Sequence, residues 1–412
     1  MDIDQPLRLL GFLTPSQFMR RHWQKKPLIV RQAITASQPV LSRKDLFRLA
    51  ALADVESRLI TNKIGAAKLT VGVVSQPEPR LWTMQSGPFA ARRLPALSLP
   101  GWTLLVQGVN LHDAQAHELM RQFRFIPDAR LDDVMISFAS PKGGVGPHFD
   151  SYDVFLLQTS GRRRWRISRQ KDLTLQQGVP LKLLQNFEAD QEFVLNAGDM
   201  LYLPPRYAHD GVAEALNDDG TPSADCITCS IGFRAPSKAA LATELLHRIA
   251  DFDLQDDEAE AVESKSSPDL YADPDQSATS APAQLPASFQ NFAHKAVLNA
   301  LKNPLALACV LGEYLTEPKP SVWFEESAQV PHWTAETRLQ LDARTRMMYD
   351  SNHIFINGES HQARGADAKL MRRLADNRVL MPKDLKRASP EAVRLLRDWL
   401  AAGWICVHRL AK

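Results

Sequence analysis

Between Asp133 and Phe233 apolar and polar positions alternate in short runs with little helical spacing, the pattern of half-buried β-strands. Leu131-Asp132-Asp133-Val134-Met135-Ile136-Ser137-Phe138 forms one such strand. Val134, Ile136 and Phe138 share one face and Asp133, Met135 and Ser137 the other, because alternate side chains point to opposite sides. Asp153 to Ile167 reads as two strands joined by a Ser160-Gly161 turn, the second ending with apolar and basic residues in alternation. Asn196-Ala197-Gly198-Asp199 reads as a turn, Met200 to Leu203 as a strand and Pro204-Pro205 as its end. This density of strands, entered by a strand at Gly101 to Gln107, predicts an α+β protein with an antiparallel double-sheet barrel over about residues 96–236.

The flanks follow another period. Thr14-Pro15-Ser16-Gln17 is a helix opening, with Thr14 as N-cap, Pro15 at the first helical position and Gln17 at the capping-box place; the helix runs to about Trp23. Short apolar segments broken by Pro and Gly fill the rest of residues 1–95, an N-terminal α/β extension of the barrel, and Leu111 to Phe125 reads as a helix. Beyond Pro236, Leu241, Leu245, Leu246 and Ile249 have helical spacing, which returns at Phe289 to Lys302 and at Leu305 to Leu315. Between these lies an acidic insert, about 251–287; residues 251–275 hold ten acidic side chains and one Lys, which predicts a solvated, disordered linker. Residues 237–320 thus read as a helical segment around that linker.

The last part, 321–412, has the element order of a winged helix. A helix is expected around Ala335 to Asp342, strands near Met347-Met348 and His353 to Asn357, and a helix from Ala366 to Ala375. Ser389-Pro390-Glu391 opens a further helix that Gly403 ends, and Trp404 to His408 makes a final strand. The segment Lys369 to Arg378 lacks a sustained basic stripe, so a structural or protein-contact role is expected rather than nucleic-acid binding.

Composition narrows the classes. The chain has 412 residues, 44% hydrophobic and 23% charged, and a formal charge of +2, which exerts no global pull on nucleic acid or membrane. The N-terminus lacks a secretory pattern, and no run of about 18 apolar residues suits a membrane span. Four cysteines in such a length do not build a disulfide framework, and a reducing cytoplasm is expected; Cys226 and Cys229 sit in a strand-like run and read as packing residues.

The chemistry concentrates in Gly146-Pro147-His148-Phe149-Asp150 and in His209, 61 residues after His148. On a strand His148 and Asp150 would point the same way, and His209 could complete a two-histidine, one-carboxylate face that leaves open positions on a non-haem Fe(II) ion. Gly143-Gly144-Val145-Gly146-Pro147 lacks the Lys-Ser/Thr of a phosphate loop and reads as a flexible entry to the site. If Trp165 packs inward, parity turns Arg163 inward too and sends Arg162, Arg164 and Arg166 outward; Asp210 faces away from the metal by the same rule.

His-x-Asp, then Asp-Val-Phe, Gln and Gly-Arg-Arg-Arg-Trp, then Gly-Asp and Leu-Pro-Pro before a second His, resembles the JmjC (cupin-like) ribosomal oxygenases. The stretch Phe18 to Leu28 resembles that family's opening. Its bacterial members are 2-oxoglutarate-dependent hydroxylases of an arginine on a large-subunit ribosomal protein, the sixteenth. The resemblance implies a double-stranded β-helix, a helical dimerisation segment in a homodimer, Fe(II) held by His148, Asp150 and His209, and consumption of 2-oxoglutarate and dioxygen to give succinate and carbon dioxide. It also implies that Arg163 anchors the far carboxylate of 2-oxoglutarate, a role a bidentate guanidinium suits. Ser137 is expected to assist there. Asp133, Met135 and Tyr152 would offer a substrate arginine a carboxylate and an apolar wall for its methylenes. Three readings compete: histidine hydroxylation, lysine demethylation, and a non-catalytic metal-binding regulator whose winged helix binds nucleic acid.

Overall fold

The computed structural model describes residues 2–35, 40–64, 80–249, 285–301, 304–327, 334, 336–362, 364–386 and 388–409, which fall into two compact units, Met1–Ala235 and Pro236–Lys412. Residues 251–284 of the acidic insert lie outside the described residues.

The first unit holds α1 (Pro15–Arg21), β1 (Leu28–Val30), α2 (Arg43–Leu49), β2 (Ser57–Ile64), β3 (Arg80–Ser86), β4 (Trp102–Val106), α3 (Ala114–Arg121) and β5 (Leu131–Ala139). It continues with β6 (Val154–Ser160), β7 (Arg162–Ser168), β8 (Gln191–Asn196), β9 (Met200–Leu203), β10 (Ala208–Ala213) and β11 (Cys226–Phe233). Eight strands form one antiparallel sheet in the order β1-β9-β6-β11-β5-β4-β2-β3, and three form a second, β10-β7-β8. Val154 and Leu156 of the large sheet pack with Trp165, Ile167 and Leu195 of the small one, so inner faces meet in a shared apolar cluster. The strands before residue 96 extend the large sheet: β1 pairs with β9 and β2 with β4.

The Ser160-Gly161 turn is a corner between sheets rather than a hairpin, since β6 and β7 belong to different sheets. Gly161 has φ +65°, and a Cβ there would lie 2.5 Å from the Ala224 carbonyl oxygen, so only glycine turns this corner closely.

At the N-terminus the capping box is present, Thr14 accepting from the Gln17 backbone and Gln17 from that of Thr14. α1 ends at Arg21, short of Trp23. Phe18, fully buried, meets the Tyr202 ring at 5.0 Å, and Trp23 meets Phe233 at 5.1 Å. The Tyr202 hydroxyl donates to buried Asp153 at 2.6 Å, and Gln24 and Arg130 reach the other carboxylate oxygen at 3.0 and 3.3 Å. The N-terminal segment is thereby tied to the residue where β6 begins. The expected helix from Leu111 to Phe125 is confined to α3, capped by Asp113 and preceded by a single 3-10 turn.

The second unit holds α4 (238–249), α5 (Ala287–Ala300), α6 (Pro304–Thr316), β12 (Thr337–Leu341), β13 (Met347–Tyr349), β14 (His353–Ile356), β15 (Glu359–Gln362), α7 (Gly365–Asn377), β16 (Val379–Leu380), α8 (Pro382–Leu385), α9 (Pro390–Ala401) and β17 (Ile405–Arg409). Ser389 caps α9 with Pro390 at its first turn. The helix expected around Ala335 to Asp342 is instead strand β12, paired with β16 and β17. Thr337, Leu339 and Leu341 are buried in alternation, and the last two join the core with Leu374, Leu396 and Trp399.

Candidate metal centre and cosubstrate pocket

Pro147 precedes His148, and the segment around it forms a single bridge rather than the strand expected for His148 and Asp150. The His148 N–H donates to the His209 carbonyl at 2.9 Å, and His209 returns the bond at 2.8 Å. The Arg206 N–H donates to the Asp150 carbonyl at 2.7 Å, so the segment after β9 fixes the carboxylate-bearing residue as well. One nitrogen of each ring and one Asp150 oxygen lie within 4.8 Å of one another.

Both rings are oriented from behind. His148 Nδ1 lies 2.8 Å from the Gly146 carbonyl and His209 Nδ1 2.9 Å from the Tyr207 carbonyl. A proton on Nδ1 satisfies each carbonyl and leaves the Nε2 lone pair for a metal. Burial, and after it the neighbouring His148 ring, pushes the His209 pKa down to about 4, so the imidazole is neutral near pH 7. Two imidazoles and a carboxylate are the donor set of non-haem Fe(II), and the residues present fit that ion.

The loop expected to be a flexible entry is held. The Ala213 N–H donates to the Gly143 carbonyl at 2.9 Å, and Thr103 Oγ1 to that of Gly144 at 3.3 Å. Gly146 has φ +79°, and a Cβ there would lie 2.7 Å from Leu183 and 2.9 Å from Trp82.

The triad lines a cavity of about 460 Å3. Arg163 and Trp165 from β7 enter it, both 4% exposed. The outward arginines are all engaged: Arg164 with Glu192 and Glu214 at 2.6 and 2.5 Å, Arg166 with Asp210, and Arg162 with Asn196 and Asp218. Asp210 does face away from the triad, yet it is buried under Arg166. In contrast, Arg163 Nε and Nη2 are buried and meet no hydrogen-bond partner among the described residues. A buried guanidinium without an acceptor demands an anion, and a carboxylate of 2-oxoglutarate fits that demand.

Ser137, Met135 and Tyr152 line the same cavity. Ser137 Oγ donates to the Thr228 carbonyl at 3.5 Å, a long contact. Tyr152 is 39% exposed; burial of its phenol, and after it the charge of the neighbouring Asp150 carboxylate, raise its pKa, so the phenol stays protonated beside Asp150. Asp133, one alternate step beyond Met135 on β5, is buried, and both its oxygens accept from Gln107 Nε2, at 2.9 and 3.0 Å.

Sequence reasoning overlooked several contributors. Arg58, Ile60 and Met84 come from β2 and β3, and Leu181 and Leu183 from the segment between β7 and β8. Arg58 and Ile60 alternate on β2, but nothing local says that this strand pairs beside β4.

A double-stranded β-helix carrying this triad beside a buried, unpaired arginine defines a protein of the JmjC type. The JmjC domain profile matches residues 118–241, and the profile of the ROXA-like winged helix matches residues 299–405. The ribosomal protein uL16 3-hydroxylase of Escherichia coli (strain K12) is 33% identical over 307 residues, covering 73% of this chain and 71% of that protein. The probable ribosomal oxygenase of Haemophilus influenzae is 33% identical over 233 residues, covering 56% and 52% respectively. The X-ray structure of E. coli ycfD superposes with a TM-score of 0.76 at 28% identity, covering 96% of this chain and 98% of that one. The structure of E. coli YcfD in complex with cobalt and 2-oxoglutarate superposes with a TM-score of 0.73. The chain belongs to the JmjC-domain ribosomal oxygenases.

Proposed function

We propose that the chain is an Fe(II)- and 2-oxoglutarate-dependent hydroxylase of a large-subunit ribosomal protein, acting on an arginine side chain. The observation that carries this reading is the unpaired, buried Arg163 guanidinium in the cavity that also holds His148, Asp150 and His209. A regulator that merely bound a metal would have no use for a buried cation without an acceptor.

Iron with bound 2-oxoglutarate supplies the oxidising chemistry when dioxygen enters, yielding succinate, carbon dioxide and a hydroxylated side chain. His148, Asp150 and His209 would hold the ion. Arg163, aided by Ser137, fixes the far carboxylate and so the direction in which the cosubstrate meets the metal. Tyr152, beside Asp150 in the cavity, receives the substrate arginine with Asp133 and Met135. Substrate seated in the mouth of the cavity would exclude water from the reacting centre.

The chain acts in the cytoplasm as a homodimer in this reading. Exposed Leu246, Phe289, Val297 and Leu298 on α4 and α5, each 44–57% exposed, support a pairing surface there. Arginines of α7 are occupied within the unit: Arg373 pairs with Asp384, and Arg372 donates to the Asp350 and Ser351 carbonyls. Nucleic-acid binding is accordingly left out of the proposal.

The test is to incubate iron-loaded protein with 2-oxoglutarate and intact large ribosomal subunits, then read tryptic peptides by mass spectrometry. The expected result is one added oxygen on an arginine of one ribosomal protein. No added oxygen on any ribosomal protein, with no succinate formed, overturns the reading.

A further inference from the structure

Trp165 stands two residues beyond Arg163 on the inward face of β7 and lines the same cavity. Its indole is 4% exposed. Most of the ring is accounted for by packing. The centre of the His209 ring lies 5.8 Å from it, the Arg163 guanidinium carbon lies 5.8 Å from its centroid, and a Cβ at Gly211 would fall 2.7 Å from its carbons. The exception is Nε1, which is buried and meets no acceptor among the described residues.

Packing alone does not call for that N–H. A phenylalanine would supply an apolar ring without carrying a donor into a site where an unmet donor is costly. Indole N–H donates and never accepts, so its complement is an oxygen atom. Arg163 Nε and Nη2 and Trp165 Nε1 are thus three buried donors without acceptors among the described residues, carried on one strand face by two residues that line the cavity of the metal triad.

We infer that Trp165 is a second anchor of the dicarboxylate cosubstrate, its Nε1–H donating to a cosubstrate oxygen while Arg163 holds the far carboxylate. The inference rests on the 2-oxoglutarate reading above and adds a residue to it. Trp165 therefore has two separable functions, a ring that supports His209 and a donor that recognises the ligand.

Trp165→Phe separates them. Protein loaded with Mn(II) and kept free of oxygen is titrated with 2-oxoglutarate by calorimetry. The expected result is a Kd raised about tenfold in the variant, ~1.4 kcal/mol, with Mn(II) affinity unchanged. In parallel, proton–nitrogen spectra of the 15N-labelled wild type, loaded with diamagnetic Zn(II) in place of Mn(II), are recorded with and without 2-oxoglutarate. The indole resonance that Trp165→Phe lacks should move downfield on saturation. If the wild type binds 2-oxoglutarate while the variant binds within twofold of it and the resonance stays put, the inference falls and the cosubstrate reading stands. If the wild type itself binds no 2-oxoglutarate, the cosubstrate reading falls and takes the inference with it. Should the variant fail to fold, the wild-type spectra decide, the resonance then being assigned through backbone correlations.

Discussion

His148 and His209 face one another as a two-residue antiparallel bridge, each backbone N–H donating to the other's carbonyl, with ring centroids 4.2 Å apart. The bond that holds the backbone also brings together two metal ligands distant in sequence. Asp150 approaches the same point, its carboxylate 3.8 Å from His209 Nε2. The backbone thus brings the three ligand atoms within reach of one ion, and metal binding should stabilise the folded state.

A thermal melt checks this. Adding Mn(II) to a hundredfold excess over its Kd should stabilise the wild type by about 2.7 kcal/mol, with a matching rise in Tm, by mass action. Asp150→Ala should melt near the apo wild type and show no rise at the same metal concentration. A rise equal to the wild type's would remove Asp150 from the ligand set.

Gly146 sits two residues before the first ligand, and its carbonyl lies 2.8 Å from His148 Nδ1. Its positive φ and the closeness of Leu183 and Trp82 leave no room for a side chain. Gly146→Ala should lower stability by about 1–3 kcal/mol and weaken metal binding about tenfold, because the carbonyl that orients the ring must move. Urea denaturation and a Mn(II) titration followed by electron paramagnetic resonance measure the two effects. Unchanged metal affinity with lowered stability would mean that the turn supports the fold alone.

The buried, unpaired Arg163 makes stability and binding pull in opposite directions. Its Nε and Nη2 are buried and meet no acceptor among the described residues, and a buried charge that the protein does not itself pair costs folding free energy. Arg163→Met should therefore melt no lower than the wild type when free of ligand, yet raise the Kd for 2-oxoglutarate on the order of a hundredfold, the effect of losing a charge-assisted pair. Calorimetry on the two proteins reads both numbers. A variant that binds 2-oxoglutarate as the wild type does would dismiss Arg163 as the anchor.

The period-two signal carried the site because it is local. Parity along Arg162 to Ser168 put Arg163 and Trp165 inward and the other arginines outward, and the burial of β7 follows that alternation. Non-local pairing had no such signal. Nothing near Arg58 says that β2 lies beside β4, and Gly161 gives the same turn signal whether the chain folds back or crosses to another sheet. Local preference misled at Ala335 to Asp342: Ala335, Glu336, Arg338 and Gln340 favour helix, yet Thr337, Leu339 and Leu341 alternate into the core, and sheet pairing with β17 overrode propensity. His148 and Asp150 do come together with His209, but not by sharing a strand: a single bridge to β10 orients His148.

Asp133 and Gln107 set the last expectation. Gln107 Nε2 meets both Asp133 oxygens, while Arg58 donates to Gln107 Oε1 at 3.3 Å, so the carboxylate is held in one orientation, two residues along β5 from Met135, which lines the cavity with Tyr152 although Asp133 itself does not. A carboxylate fixed this way would meet a substrate guanidinium without first losing side-chain freedom. Asp133→Ala should raise KM for the ribosomal substrate about tenfold to a hundredfold, the worth of a hydrogen bond between charged groups, with KM for 2-oxoglutarate unchanged. Gln107→Leu, which frees the carboxylate but keeps it, should show a smaller rise in the same constant. Steady-state assays that vary each substrate in turn separate these outcomes. Equal rises in both KM values for Asp133→Ala would instead mean that Asp133 supports the cavity wall and does not select the substrate.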